Sequence, residues 1–212
     1  MTKPKIQENP QNQRSSRKRQ IQVVLADIRS RENVGSIFRT ADAVGVSKIF
    51  LCGITPTPTP TAQFSVINLQ FSKQSQTKES DKIAKTALGA EKTVPWEYHK
   101  QTWRLLQQLK KEGYIILMLE QTPASKNIFE YRNLKSRRRN ESKKLSDGQG
   151  KMASKISDKN DIILVLGNEV TGISQKLLDY ATSLLQIPMY GKKESLNVAV
   201  AFGIAAYTLR DK

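Results

Sequence analysis

One cysteine, Cys52, and one histidine, His99, are all the chain offers of these two residue types. The first excludes an intrachain disulfide, and together they cannot furnish a His/Cys zinc cage. Ser–His–Asp or Cys–His chemistry would have to run through His99 alone. Long apolar runs are missing too: no stretch approaches the roughly 20 residues that span a bilayer. The N-terminus is basic and polar with no apolar segment behind it, so it does not read as a secretory signal. Acidic residues are outnumbered: 35 Lys and Arg stand against 19 Asp and Glu, a net charge of +16 in 212 residues. An enzyme of neutral metabolites has no need of such a field. It concentrates polyanions, which makes nucleic acid or an anionic membrane surface the leading partner. The length suits one domain of ordinary size, since chains split into several only at about 250 to 300 residues. The expectation is a soluble, cytoplasmic protein that meets nucleic acid.

Residues 1–20 have no apolar period and cluster Arg14, Arg17, Lys18 and Arg19, as a flexible basic arm would. From Ile21 the texture changes. Ile21 to Leu25 and Lys48 to Cys52 read as strands, and Ser36 to Val44 carries apolar residues at helical spacing with Gly45 behind it as a C′ residue. Asn33 falls in the polar loop between the first strand and that helix. Strand, loop, helix and strand make a βαβ unit, the building block of a parallel α/β sheet covered by helices on both faces. Further helices are expected over Ile83–Leu88, Trp96–Leu109 (with Trp103, Leu106 and Leu109 in its apolar stripe), Ser174–Ala181 and Ser195–Leu209. Further strands are expected over Tyr114–Leu119, Asp161–Leu166 and Leu184–Pro188. The last helix is apolar nearly all round and reads as buried. Two polar stretches, near 60–82 and 130–160, break the pattern and read as disordered insertions. Between 135 and 155 the second holds eight cations, Arg137, Arg138 and Arg139 among them, against two acids.

Three segments, each following a strand, carry more special residues than a connecting loop needs. The first runs from Asn33 to Arg39-Thr-Ala. Taken alone, it could be a helix cap with Arg39 paired to Asp42. The second is Leu166-Gly167-Asn168-Glu169-Val-Thr-Gly172, where glycine lets the backbone come close to a flat ligand. It is neither the dinucleotide fingerprint nor a phosphate-binding Gly-Lys-Ser/Thr loop. The third is Ile187-Pro-Met189 through Ser195-Leu196-Asn197. Ser195 is a natural N-cap there, and Asn197 falls in the first helical turn beside a buried stripe, an expensive place for an amide.

Together these segments resemble the SpoU (TrmH) family of RNA 2′-O-methyltransferases of the SPOUT superfamily. The resemblance covers nearly all of residues 21–210, with its three motifs complete and in order. Leu-Cys-Gly-Ile-Thr-Pro (51–56) and the stretch from Lys85 to Tyr98 are similar to the family as well. The two polar insertions depart from the usual pattern. No separate RNA-binding domain of the kind some members carry is expected ahead of residue 21.

The resemblance implies a parallel α/β sheet with a C-terminal trefoil knot over residues 21–212, a homodimer, RNA as partner (tRNA or ribosomal RNA), and S-adenosylmethionine as cofactor with no metal. By match of motif, Gly167, Ile187 and Leu196 line the cofactor pocket beside Leu119 and Glu120, with Leu166, Asn168, Glu169, Gly172, Met189 and Ser195 completing it. The family mechanism treats Arg39 as the activator of the ribose 2′-hydroxyl. A guanidinium, with a pKa above about 12, hardly deprotonates, so clamping the adjoining phosphate and stabilising alkoxide charge are equally open to it. Asn33, Ser195 and Asn197 orient Arg39 or the ribose, and Glu169 holds the motif loops or the dimer seam. RNA contacts are expected from Arg39, from Arg14, Arg17, Lys18 and Arg19, and from Arg137 to Arg139. The alternative is a catalytically silent RNA-binding or assembly factor on the same fold. Such a relative is expected to lose Arg39 or the Asn197 segment, and this chain keeps both.

Overall fold

Four β-branched, apolar runs form the middle of the molecule. In the computed structural model, which describes residues 19–59, 80–131 and 161–210, they pair side by side and in parallel. These are β1 (Ile21–Ala26), β2 (Lys48–Cys52), β4 (Ile115–Leu119) and β6 (Ile162–Leu166). Three shorter strands complete a seven-stranded sheet: β3 (Trp96–His99), β5 (Lys126–Asn127) and β7 (Ser183–Gln186). The order is β3-β2-β1-β6-β4-β7-β5, and every pairing is parallel.

Because side chains alternate along a strand, each central strand feeds two cores. Val23, Leu25, Ile49, Leu51, Leu117 and Leu164 pack on one face with Phe38, Ile83 and Phe202. Those three come from α1 (Arg31–Val44), α2 (Ser80–Ala87) and α6 (Val198–Arg210). Val24, Phe50, Ile116, Met118, Ile163 and Val165 pack on the other face with Leu106 and Leu177. These belong to α4 (Thr102–Lys111) and the short α5 (Gln175–Leu178); a single turn, α3 (Ala90–Thr93), precedes β3. Both faces are covered, as expected of a parallel sheet.

Several sequence expectations are corrected. Asn33 is not in a loop: α1 begins at Arg31 with Ser30 as N-cap, whose hydroxyl accepts the Asn33 N–H at 3.1 Å. Trp96–Leu109 is not one helix but β3 followed by α4. Trp103 is 42% exposed instead of lying in the apolar stripe, which consists of Thr102, Leu105, Leu106 and Leu109. The final helix starts at Val198, not Ser195, and is not buried all round, since Val200 and Tyr207 face solvent. Helix α2 begins at Ser80, inside the stretch read as an insertion, and Tyr131 at the start of the second such stretch is buried in the core. The rest of both stretches, Arg14, Arg17 and Lys18, and Arg137, Arg138 and Arg139 lie outside the described residues.

The register decides where the chemistry goes. Leu25, Leu166, Leu119 and Leu185 form one row across the carboxyl ends of four adjacent strands. From β1 the chain winds outward through β2 to β3, then returns beyond β6 to β4, so the direction of winding reverses beside β6. In open α/β sheets the crevice at such a reversal is where ligands bind.

Candidate active site

Beyond that leucine row the strands release the special segments. A cleft of about 210 Å³ opens there, lined by Leu119, Glu120, Leu166, Gly167, Asn168, Glu169, Gly172, Ile187, Met189, Ser195 and Leu196. All eleven residues expected from the resemblance at a cofactor pocket thus come together, from three parts of the chain. Gln121, Val170, Gln186, Val198 and Ala201 line it too and were not foreseen.

The 167–172 turn is built by its own side chains and glycines. Asn168 Oδ1 accepts from the Val170 and Thr171 N–H groups at 2.9 and 3.1 Å, and its Nδ2 donates to Asp27 O at 2.7 Å. A Cβ on Gly167 would sit 2.5 Å from Gly172 C and Ile173 N, so the backbone strands of the turn touch directly. Gly172 has φ 67°, and a Cβ there would press on the Glu120 carboxylate. That carboxylate accepts the Ile173 N–H at 2.6 Å, tying the end of β4 to the turn after β6.

Glu169 points the other way, across the mouth of the cleft. Its carboxylate accepts from the Arg29 N–H at 3.0 Å, the Ser30 N–H at 3.1 Å and Asn33 Nδ2 at 3.0 Å. Burial raises the carboxyl's proton affinity, but these hydrogen bonds outweigh it and hold the pKa below the usual carboxylate range. Asn33 Oδ1 in turn accepts from Asn197 Nδ2 at 3.0 Å. Glu169, Asn33 and Asn197, one from each motif, therefore form a single hydrogen-bonded chain.

Asn197 also replaces Ser195 as the cap of α6: its Oδ1 accepts the Ala199 N–H at 2.9 Å. It is exposed at the cleft rim, not buried beside the stripe. Ser195 lines the cleft instead. Arg39 stands exposed on α1 and is not among the lining residues. It has no carboxylate partner among the described residues, because Asp42 accepts from Thr93 Oγ1 at 3.0 Å rather than pairing with Arg39. Gly35, between Asn33 and Arg39, is where α1 meets α2: a Cβ there would collide with Thr86.

One residue that sequence reasoning missed is Asp27, at the end of β1. It adopts a left-handed φ of 61°, accepts the Ile54 N–H on Oδ1 at 3.0 Å, and offers its carbonyl to Asn168. Aspartate tolerates that conformation better than most residues, which was the available signal.

A parallel sheet with a cleft of mixed polar and apolar lining at its carboxyl ends and a chain of amides at the rim defines an α/β ligand-binding domain. The chain belongs to the SpoU rRNA Methylase family, whose model matches residues 60–207, with the Asn33–Arg39 segment outside the match. A tRNA (guanosine(18)-2′-O)-methyltransferase of Borreliella burgdorferi is 23% identical over 186 residues, covering 88% of this chain and 64% of that one. The crystal structure of an AdoMet-bound rRNA methyltransferase from Sinorhizobium meliloti superposes with a TM-score of 0.64 at 23% identity, over 91% of this chain and 56% of that chain. The TrmH/SpoU tRNA modifying enzyme of A. aeolicus gives 0.61 at 25% identity, over 92% and 76%. The chain thus spans less than two thirds of the Borreliella and Sinorhizobium proteins it resembles.

Proposed function

We propose that this chain transfers a methyl group from S-adenosylmethionine to a ribose 2′-hydroxyl of structured RNA, either tRNA or ribosomal RNA. The observation that carries the reading is the Glu169–Asn33–Asn197 chain, which joins three distant segments at the rim of the cleft. A purely structural turn after β6 has no use for that connection.

The cleft fits the cofactor. Leu119, Leu166, Ile187, Met189 and Leu196 offer apolar walls to a flat base, and the closely packed 167–172 turn, its amides bonded within the fold, gives that base a fixed backbone edge. When bound, S-adenosylmethionine supplies an electrophilic methyl group on a sulfonium. Everything else falls to the protein. Holding a hydroxyl in line with such a carbon supplies much of a rate enhancement, because the cost of alignment is met on binding. Asn33 and Asn197, locked by Glu169, and Ser195 orient the ribose. Arg39, free of any carboxylate among the described residues, takes the adjoining phosphate and stabilises charge growing on the 2′-oxygen. A guanidinium donates hydrogen bonds and accepts none, which suits it to clamping an anion rather than to taking a proton.

Arg14, Arg17, Lys18 and Arg137 to Arg139 extend the RNA contacts in this reading, which includes the C-terminal knot and a homodimer; Arg19, expected among them, is half-buried with its Nε and Nη1 out of solvent. Exposed apolar side chains near the cleft and on α6, namely Val170, Tyr190, Val200 and Tyr207, support a self-associating face. Incubation with methyl-labelled S-adenosylmethionine and unmodified tRNA and ribosomal RNA tests the proposal. Label in RNA is expected. A folded protein that labels neither RNA contradicts it.

A further inference from the structure

Helix α4 carries a surface that the cleft does not account for. Its buried stripe is complete without Trp103, whose ring is 42% exposed with the Arg104 guanidinium carbon 5.2 Å from its centroid. Lys100, just ahead of the helix, and Gln107, Lys110 and Lys111 along it are also exposed. At 100° per residue, Trp103, Arg104, Gln107, Lys110 and Lys111 share one outward face with no acid on it. Lys110 is engaged, donating to Asp179 O at 3.1 Å, while Lys100 and Lys111 point no charge at a carboxylate among the described residues. Single exposed aromatics are ordinary on protein surfaces, but one held beside a guanidinium and ringed by cations is a nucleobase platform in miniature.

Its position suits that use. Helix α4 follows β3 through Lys100 and Gln101, so its first turn, with Trp103, lies at the carboxyl end of the parallel sheet. The cleft opens at the same end. In the strand order β3 stands three places from β6, a lateral separation of roughly 15 Å at about 4.8 Å per strand. That is the component along the sheet only: α4 packs on the face opposite α1, so an RNA strand a few nucleotides long would reach Trp103 around the carboxyl edge of the sheet.

We infer that Trp103, held by Arg104, stacks an unpaired base of the RNA substrate a few nucleotides from the one whose ribose enters the cleft, with Lys100 and Arg104 meeting its phosphates. The inference rests on the RNA reading above, and the net charge of +16 supplies the complementarity. It makes Trp103 a determinant of which RNA is chosen, since unstacked bases are what such platforms recognise.

The test is titration of the full chain with a mixed pool of unmodified tRNA and ribosomal RNA, followed by tryptophan fluorescence and by Kd at several salt concentrations. The chain has two tryptophans, and Trp96 packs against the core. RNA should therefore quench the native protein, and Trp103→Phe should lose most of that quenching while keeping most of the affinity. Trp103→Ala should bind RNA about tenfold more weakly, with S-adenosylmethionine affinity unchanged. Arg104→Ala should flatten the salt slope by about 0.7 to 0.9 per lost phosphate contact. Quenching that persists in Trp103→Phe, or native RNA affinity in Trp103→Ala, overturns the platform. Methyl transfer by a native protein whose Trp103→Ala variant binds RNA normally would sink the platform and spare the methyltransferase reading. Trp103 quenching without methyl transfer would do the reverse.

Discussion

Two carboxylates at opposite parts of the sheet are held in contrasting ways. Glu97, on β3, is paired with Lys48 Nζ at 2.9 Å and His99 Nε2 at 2.8 Å, all three on one sheet face beside the Phe50 ring. The hydrogen bond from His99 does most to lower its pKa, which falls to about 2 against the opposing effect of burial, with Lys48 helping. Glu169 has no cation partner among the described residues. Backbone N–H groups and one amide satisfy it, and its partners lie 136 to 140 residues away in sequence. The first network is local cover for the β2–β3 face that α4 leaves open. The second spans three motifs, consumes no cation and leaves Arg39 available for an anion. Pairing alone therefore does not distinguish the two acids; what each holds together does.

The contrast can be broken from either side. The largest effect is expected from Arg39→Ala, which should lower methyl transfer by about 100-fold or more while leaving the melting temperature and S-adenosylmethionine affinity unchanged. Calorimetry beside a single-turnover assay checks this, and near-normal turnover removes Arg39 from the chemistry. Next comes Asn197→Ala. It removes both a helix cap, worth about 1 kcal/mol, and the bond to Asn33. Transfer should fall tenfold or more while the melting temperature drops by only about 2 to 4 °C. Full activity with that drop would leave Asn197 a cap only.

Glu97→Gln should leave transfer at neutral pH untouched and lower the melting temperature there, with the deficit shrinking as pH falls below 4.5. A carboxyl whose folded pKa is depressed from 4.5 to about 2 contributes stability that is present above 4.5 and lost as pH falls toward 2. Thermal melts between those values should thus decline less steeply in the variant, and identical profiles would deny Glu97 that role. Smallest of all is the effect at Cys52, whose thiol burial pushes up to about 12. Iodoacetamide at pH 8 should not modify the folded protein, and rapid modification would mean that the β2–β3 face opens.

Much of this was legible in the residues. The apolar runs of β1, β2, β4 and β6 could be placed within a residue because strands buried on both faces are continuously apolar. The cleft lining could be named only through the resemblance of its segments to the SpoU (TrmH) motifs. Trp96–His99 reads as helix because an edge strand of four half-buried residues has no period to detect, and its aromatics merge with the helix beyond. Asn33 was assigned to a loop because Arg-Ser-Arg-Glu is polar throughout, although Ser30 three residues before it is a recognisable N-cap. Long-range partners were out of reach. Nothing local in Glu120 says that it will meet the Ile173 N–H, or in Glu169 that it will meet Asn33. Those contacts come from register and strand order, which depend on the whole sheet.

The central claim is that Arg39, left unpaired among the described residues beside the Glu169–Asn33–Asn197 rim, directs a methyl group to a ribose oxygen. The most direct measurement is mass spectrometry of nucleosides from RNA incubated with S-adenosylmethionine and either the native chain or Arg39→Ala. The account predicts a 2′-O-methylated nucleoside with the native chain and almost none with the variant. A methyl group on a base, or equal 2′-O-methylation by both proteins, would contradict it.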